Sequence, residues 1–255
     1  MADTVALIKA VRTSHDRFAA LVSPLDDDAV QRPSYDDEWS IAQVASHLGS
    51  QAEIFGLFLD AGLSGTAAPG GEAFPPIWDR WNNRTPALQV ADSVLANEEF
   101  ATRVEGLSES ERAGFALSAF GTELDLAGTL AMRLGEHAVH TWDVAVAVDP
   151  KATVAADAVE LLIDSLPAMA ARTGKAAADG RGVVVETVAP QRRFVLTTGP
   201  EVSLVADSGT TAADLRLPAE ALVRLVYGRL DPEHTPADLA DDAVLTQLRE
   251  VFPGF

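Results

Sequence analysis

The chain has 255 residues, with 19 Lys plus Arg against 38 Asp plus Glu, a formal charge of −19 and no cysteine. So acidic a composition argues against a nucleic-acid binder held by phosphate neutralisation, which needs clustered cations. The absence of cysteine excludes disulfides, thiolate metal sites and an attacking thiol of the protein's own. Hydrophobic residues at 47% and charged residues at 22% describe a chain with a real core. Its length fits one large domain or two modest ones. The opening stretch, MADTVALIKAVRTSHDRF, is broken by charge every few residues and lacks the apolar run of a signal peptide. No window approaches the ~18 apolar residues of a membrane span. The expectation is a soluble, cytoplasmic protein with neither membrane nor nucleic-acid partner, and nothing in the chain marks an oligomer interface.

Leu7, Ile8, Val11, Phe18, Leu21 and Val22 recur at helical spacing, and Pro24 stops the run. The segment LDDDAVQRPSYDDEW is a polar connection. Ser40, with Gln43 three residues later, forms a capping box that opens a second helix carrying Ile41, Val44, His47, Leu48, Ile54, Phe55 and Phe58. It ends near Gly62, before SGTAAPGGEAFPP, a loop long enough to be the wall or lid of a site. A third helix is predicted from Trp78 to about Val104, interrupted early by Pro86. Ser108 and Glu111 form another capping box, for a short segment. Leu124 to Val148 reads as a long apolar helix ended by Asp149-Pro150, and Ala155 to Ala171 as one more. Long helices with short links suggest an antiparallel bundle.

The character then changes. AAADGRG is a junction; GVVVETVA, RFVLTT, VSLVAD and ADLRLP read as strands. Pro218 opens an amphipathic helix, PAEALVRLVYGRL, and a last helix carries Leu239, Val244, Leu245, Leu248 and Val251. The fold class expected is α+β, mainly α: a helical bundle over residues 1–174 and a small α+β domain over 180–255.

Three residues of the bundle can carry metal chemistry. Glu136 and His140, four apart on one helix, project from the same face. His47 on a second helix can supply a third ligand, as bundles do when they build metal sites. Two imidazoles and a carboxylate suit a divalent ion, zinc first, with nickel, iron or manganese as the alternatives the set also accommodates. Three protein ligands leave a position for water or substrate. The competing reading is a surface Glu–His pair. Asp143, three residues past His140, is placed either to orient His140 or to face solvent. His137–His140 is a rival ligand pair. His15 and His234 lie among polar residues and read as solvated. Arg133 reads as a surface arginine, with pairing to Glu136 or to an anionic substrate as the alternative. Trp39 and Trp142 read as core first and pocket lining second; Trp78 and Trp81 are placed to shape the mouth of the Gly/Pro loop.

The pattern Trp39-Ser40 leading to His47-Leu48, then Arg133-x-x-Glu136-x-x-x-His140-x-x-Asp143, resembles the mycothiol-dependent maleylpyruvate isomerase family, within the DinB-like superfamily of metal-binding four-helix bundles. The second half is similar to that family's sterol-carrier-like C-terminal domain, in which an apolar helix ends in Gly-Arg; here that segment is Leu222 to Arg229. The resemblance implies a divalent metal held by His47, Glu136 and His140, and mycothiol as cosubstrate. It also implies thiolate addition to an activated double bond, followed by rotation and departure of the sulfur in an isomerase, or by release of the adduct in an S-transferase. Arg229 is the residue it suggests for anchoring a substrate carboxylate, against a plain helix-terminal arginine; Arg193 and Arg216 are weaker choices of the same kind. Two other classes stay open: a non-enzymatic small-molecule or lipid-binding module, and a metal-dependent hydrolase using activated water.

Overall fold

The computed structural model describes residues 3–35, 38–119, 121–177 and 180–254. The chain divides into two compact units, Met1–Ala152 and Thr153–Phe255.

In the first unit, α1 (Thr4–Val22) is capped by the Asp3 side chain. A single 3-10 turn at Ala29–Gln31 precedes α2 (Ile41–Ser64), which opens on the expected Ser40–Gln43 capping box. The helix stops at Gly65, whose φ of 67° only glycine adopts without strain. The Gly/Pro loop is shorter than predicted, because α3 (Phe74–Asn82) takes Pro75 and Pro76 into its first turn, where a missing N–H leaves nothing unsatisfied. Pro86 likewise opens α4 (Pro86–Glu105), so the single helix expected from Trp78 is two. The short helix α5 (Glu109–Gly114) carries the second capping box. The strands β1 (Leu117–Ala119) and β2 (Thr122–Leu124) pair antiparallel, which takes Leu124 out of the helix expected to start there. Asp125 then caps α6 (Leu126–Val148).

The four long helices close a bundle in which α1 packs on α4 and α6, and α2 packs on α4 and α6. Phe18, Val22, Ile41, Val44, Leu48, Val90 and Val144 fill one end of it, each apolar side chain contributing about 1.5–3 kcal/mol by leaving water. The contact between α2 and α3 is close because residue 49 is glycine: a Cβ there would overlap the Trp81 ring. Trp81 has little room to move, since its Nε1 donates to Glu53 at 3.0 Å and Arg84 stacks on its face at 3.6 Å. Gly49→Ala is therefore expected to lower stability by about 1–3 kcal/mol, as overpacking does; urea unfolding checks this, and a stability equal to wild type would contradict it.

In the second unit, α7 (Ala156–Leu162) and α8 (Leu166–Thr173) flank a 3-10 turn at Ile163–Ser165. They were expected as one helix closing the bundle. They instead pack within the second unit, which puts the division at Ala152 rather than after residue 174. The physical reason is where their buried face goes. Val159, Leu162, Ile163, Leu166 and Ala170 are buried, and the Thr173 hydroxyl donates to the Val226 carbonyl at 2.9 Å. The junction residues 178 and 179 lie outside the described residues. Four strands follow, β3 (Gly182–Val188), β4 (Arg193–Thr197), β5 (Ser203–Ala206) and β6 (Leu215–Pro218), close to the expected segments. They form one sheet of order β5-β4-β3-β6, in which β6 runs parallel to β3 and the other pairs are antiparallel. α9 (Ala219–Val226) is buried almost all round, and α10 (Ala243–Val251) ends the unit. Among the described residues no helix is long and apolar enough to cross a membrane.

Candidate metal centre

The capping box sets the start of α2, so His47 falls two turns into a well-defined helix. On α6, Glu136 and His140 project one turn apart toward it. The three residues offer one ligand atom each within 4.8 Å of one another. Glu136 Oε2 lies 3.5 Å from His47 Nε2 and 3.8 Å from His140 Nε2, and the two imidazole centroids are 4.5 Å apart. A tetrahedral ion with ligand bonds of about 2.0–2.1 Å separates its donors by about 3.3–3.5 Å, so a small adjustment brings these atoms onto one ion. His47 Nε2 is buried and makes no well-aligned hydrogen bond, a polar atom with its partner still to be supplied.

Asp143 is buried and its Oδ2 lies 2.8 Å from His140 Nδ1. An ionised carboxylate only accepts, so the ring donates Nδ1–H and turns the lone pair of Nε2 to the centre. The orienting role expected as one of two readings of Asp143 is the geometry observed. Trp39 forms a wall over both rings: its centroid is 5.4 Å from that of His47 and 6.4 Å from that of His140, with the latter ring nearly parallel at 18°. Its first-choice reading as core is corrected, for it is 37% exposed. The loop before α2 holds it there. Tyr35 N–H donates to the Asp143 carbonyl at 2.9 Å, and Ser34 N–H to the Trp39 carbonyl at 2.8 Å. Asp36 and Asp37, in the same polar connection, lie outside the described residues.

Burial pushes the Glu136 carboxyl up, but the facing His47, with His140 and Arg133 beyond it, outweighs this and brings it down to about 2. Burial, helped by the field of His140, pushes His47 below its ordinary value. A neutral imidazole facing an ionised carboxylate is the protonation state that binds a cation.

Other expectations change. Arg133 is not a surface residue: it is 1% exposed and donates to the Leu48 carbonyl at 3.2 Å and to Asn97 Oδ1. His137 points away from the centre, into the bundle, where Ser14 Oγ is 2.8 Å from its Nδ1; it does not join His140. His15 is buried, not solvated, with Nε2 at 2.9 Å from Glu98 Oε2. His234 is half-buried and pairs with Asp231. Trp142 is core, as read, and donates to the Ala152 carbonyl at 2.9 Å. Trp78 is exposed while Trp81 is buried. In the second unit Arg229 donates to the Tyr227 carbonyl at 2.8 Å, and Arg193 and Arg216 form ion pairs with Glu186 and, for Arg193, Asp207. Asn97 went unnoticed in the sequence, because nothing local distinguishes an asparagine that meets a buried arginine from one facing water.

The model of the mycothiol maleylpyruvate isomerase N-terminal domain matches residues 11–145. Among solved structures, the chain is similar to a crystal structure of the mycothiol-dependent maleylpyruvate isomerase, at 17% identity over 90% of each chain with a TM-score of 0.65. It is similar also to a histidine-to-alanine mutant of the mycothiol-dependent maleylpyruvate isomerase, at 15% identity over 90% of each chain with a TM-score of 0.67. At such identities the likeness establishes the fold, the α+β, mainly helical class read from sequence. No curated protein matches the chain. The matched segment spans more than half the chain and includes His47, Glu136 and His140 of the candidate centre. By that match the chain belongs to the mycothiol maleylpyruvate isomerase N-terminal domain family.

Proposed function

We propose that this protein is a metal-dependent enzyme that uses an external low-molecular-weight thiol, of the mycothiol type, for isomerisation or S-transfer on a small electrophile. The observation that carries the reading is the convergence of His47, Glu136 and His140 on one point, with Asp143 on the far nitrogen of His140. Family membership and the solved relatives named mycothiol-dependent maleylpyruvate isomerase support the choice of thiol. His47 and His140 would hold a divalent ion by nitrogen and Glu136 by oxygen. Zinc suits this set, and nickel, iron and manganese share it.

A divalent ion there supplies one thing, a thiol held as thiolate at neutral pH, where a free thiol of pKa about 8.5 is only a few per cent ionised. The chain's own groups do the rest. Glu136 contributes the one negative charge of the ligand set, and Asp143 keeps the His140 ring turned. Trp39 supplies an aromatic wall that excludes water from one side. Arg229 is proposed to anchor a substrate carboxylate through its planar fork. With no cysteine in the chain, every attacking sulfur comes from the cosubstrate. Such a thiol stays reduced in the cytoplasm, the compartment proposed.

The test is thiol consumption by zinc-loaded and chelator-treated protein with a panel of α,β-unsaturated carboxylates, maleylpyruvate among them. The reading predicts turnover that needs both metal and thiol. Metal-dependent ester or amide cleavage without thiol would replace it with hydrolysis, and a co-purifying apolar molecule without turnover would replace it with a binding module.

A further inference from the structure

Arg133 is the least expected residue of the bundle. Its guanidinium is fully buried, and among the described residues no carboxylate lies within ion-pair distance of it. A buried charge without a direct partner is costly, and a methionine or leucine would fill the same space between the Phe55 and Phe100 rings, which flank the guanidinium at 5.7 and 5.8 Å. An apolar side chain cannot do one thing that Arg133 does. Its Nη2 donates to the carbonyl of Leu48, the residue after His47, and also to Asn97 Oδ1 on α4. Asn97 in turn donates to the same Leu48 carbonyl at 3.4 Å and to the Ser93 carbonyl at 2.8 Å. Arg133 itself stands one turn before Glu136 on α6.

We propose that Arg133 is a positioning residue for the centre, fastening the turn of α2 that carries His47 to the turn of α6 that carries Glu136 and His140. Apolar packing alone lets two helices slide by fractions of an ångström with little change in energy. A directional bond to a backbone carbonyl fixes both spacing and register. Asn97 completes the clamp by holding the guanidinium and the carbonyl together from α4. The inference rests on the metal reading above.

The sign of the effect separates positioning from charge. Arg133 is a cation near a cation site, so removing it by electrostatics alone would leave metal binding unchanged or tighter. Loss of positioning makes it weaker. Metal-free protein is titrated with Co(II), following affinity and the visible absorption that reports coordination geometry. Arg133→Met is expected to weaken Co(II) binding by roughly 10–100-fold, the range for groups that orient ligands, and to alter the spectrum. Arg133→Lys should recover part of the affinity. Val104→Ala, a buried cavity variant on the same bundle, should lose stability yet bind Co(II) as wild type does. If Arg133→Met fails to fold, Asn97→Ala is the substitute and should weaken binding in the same direction. Wild-type affinity in a folded Arg133→Met, or in Asn97→Ala where it is the substitute, overturns the proposal. Failure of wild type itself to bind Co(II) overturns the metal reading instead, so the two failures are distinguishable.

Discussion

His47→Ala is expected to weaken zinc binding by more than about 100-fold, beyond the 10–100-fold typical of outer partners, while the fold persists. His47 supplies one of three converging donors and the only one from α2. Its side chain stands at the edge of the bundle, while the buried face of α2 is made by Ile41, Val44, Leu48, Phe55 and Phe58, so the helix keeps its packing. Glu136→Gln should act as strongly, since it removes the single anionic donor. Asp143→Asn should fall in the smaller range, because His140 keeps its nitrogen and loses only its orientation. Competition with a chromophoric chelator orders the three, and thiol turnover should fall in the same order. Wild-type affinity in His47→Ala would contradict the ligand assignment.

The second large effect is on acid stability. His137 is buried between α1 and α6, with Nδ1 on the Ser14 hydroxyl, its ring edge to face with Phe18, and Nε2 without a partner. Burial holds it well below its ordinary pKa, and the same cause lowers His15. A histidine that is neutral when folded but protonated when unfolded gives the unfolded state more bound protons. Stability is then fully present above the unfolded pKa of about 6.5 and declines as pH falls below it. Each such residue contributes up to about 1 kcal/mol per pH unit in that window. Depressed carboxylates such as Glu136 and Glu98 act lower, below their ordinary pKa, and do not enter between pH 6.5 and 5. Metal-free His137→Gln should therefore show a shallower fall across that window in urea unfolding than wild type. An identical slope would mean that His137 does not carry the effect.

What could be read from the sequence was local. Ser40 with Gln43, and Glu136 with His140, declare themselves within four residues, because a cap and an i,i+4 pair need only helical geometry. What escaped depends on which faces meet. Arg133 and His15 looked solvated because a charged or polar side chain usually faces water, yet α2 and α4 close over Arg133, and His15 on α1 is buried against Glu98 of α4. Trp39 sits in a polar segment, and the Tyr35–Asp143 backbone bond, between residues more than a hundred apart in sequence, helps to hold that segment beside the imidazoles. The three-residue strands β1 and β2 are too short to show alternation. Residues 156–173 are helical as expected, but their apolar stripe does not say which unit it will cover.

The most direct test of the central claim is the metal content of the folded wild-type chain after equilibration with zinc and removal of the excess. The arrangement of His47, Glu136 and His140 predicts one ion per chain, and none in variants lacking His47 or Glu136. A properly folded wild type that stays metal-free in zinc-supplemented buffer would contradict it.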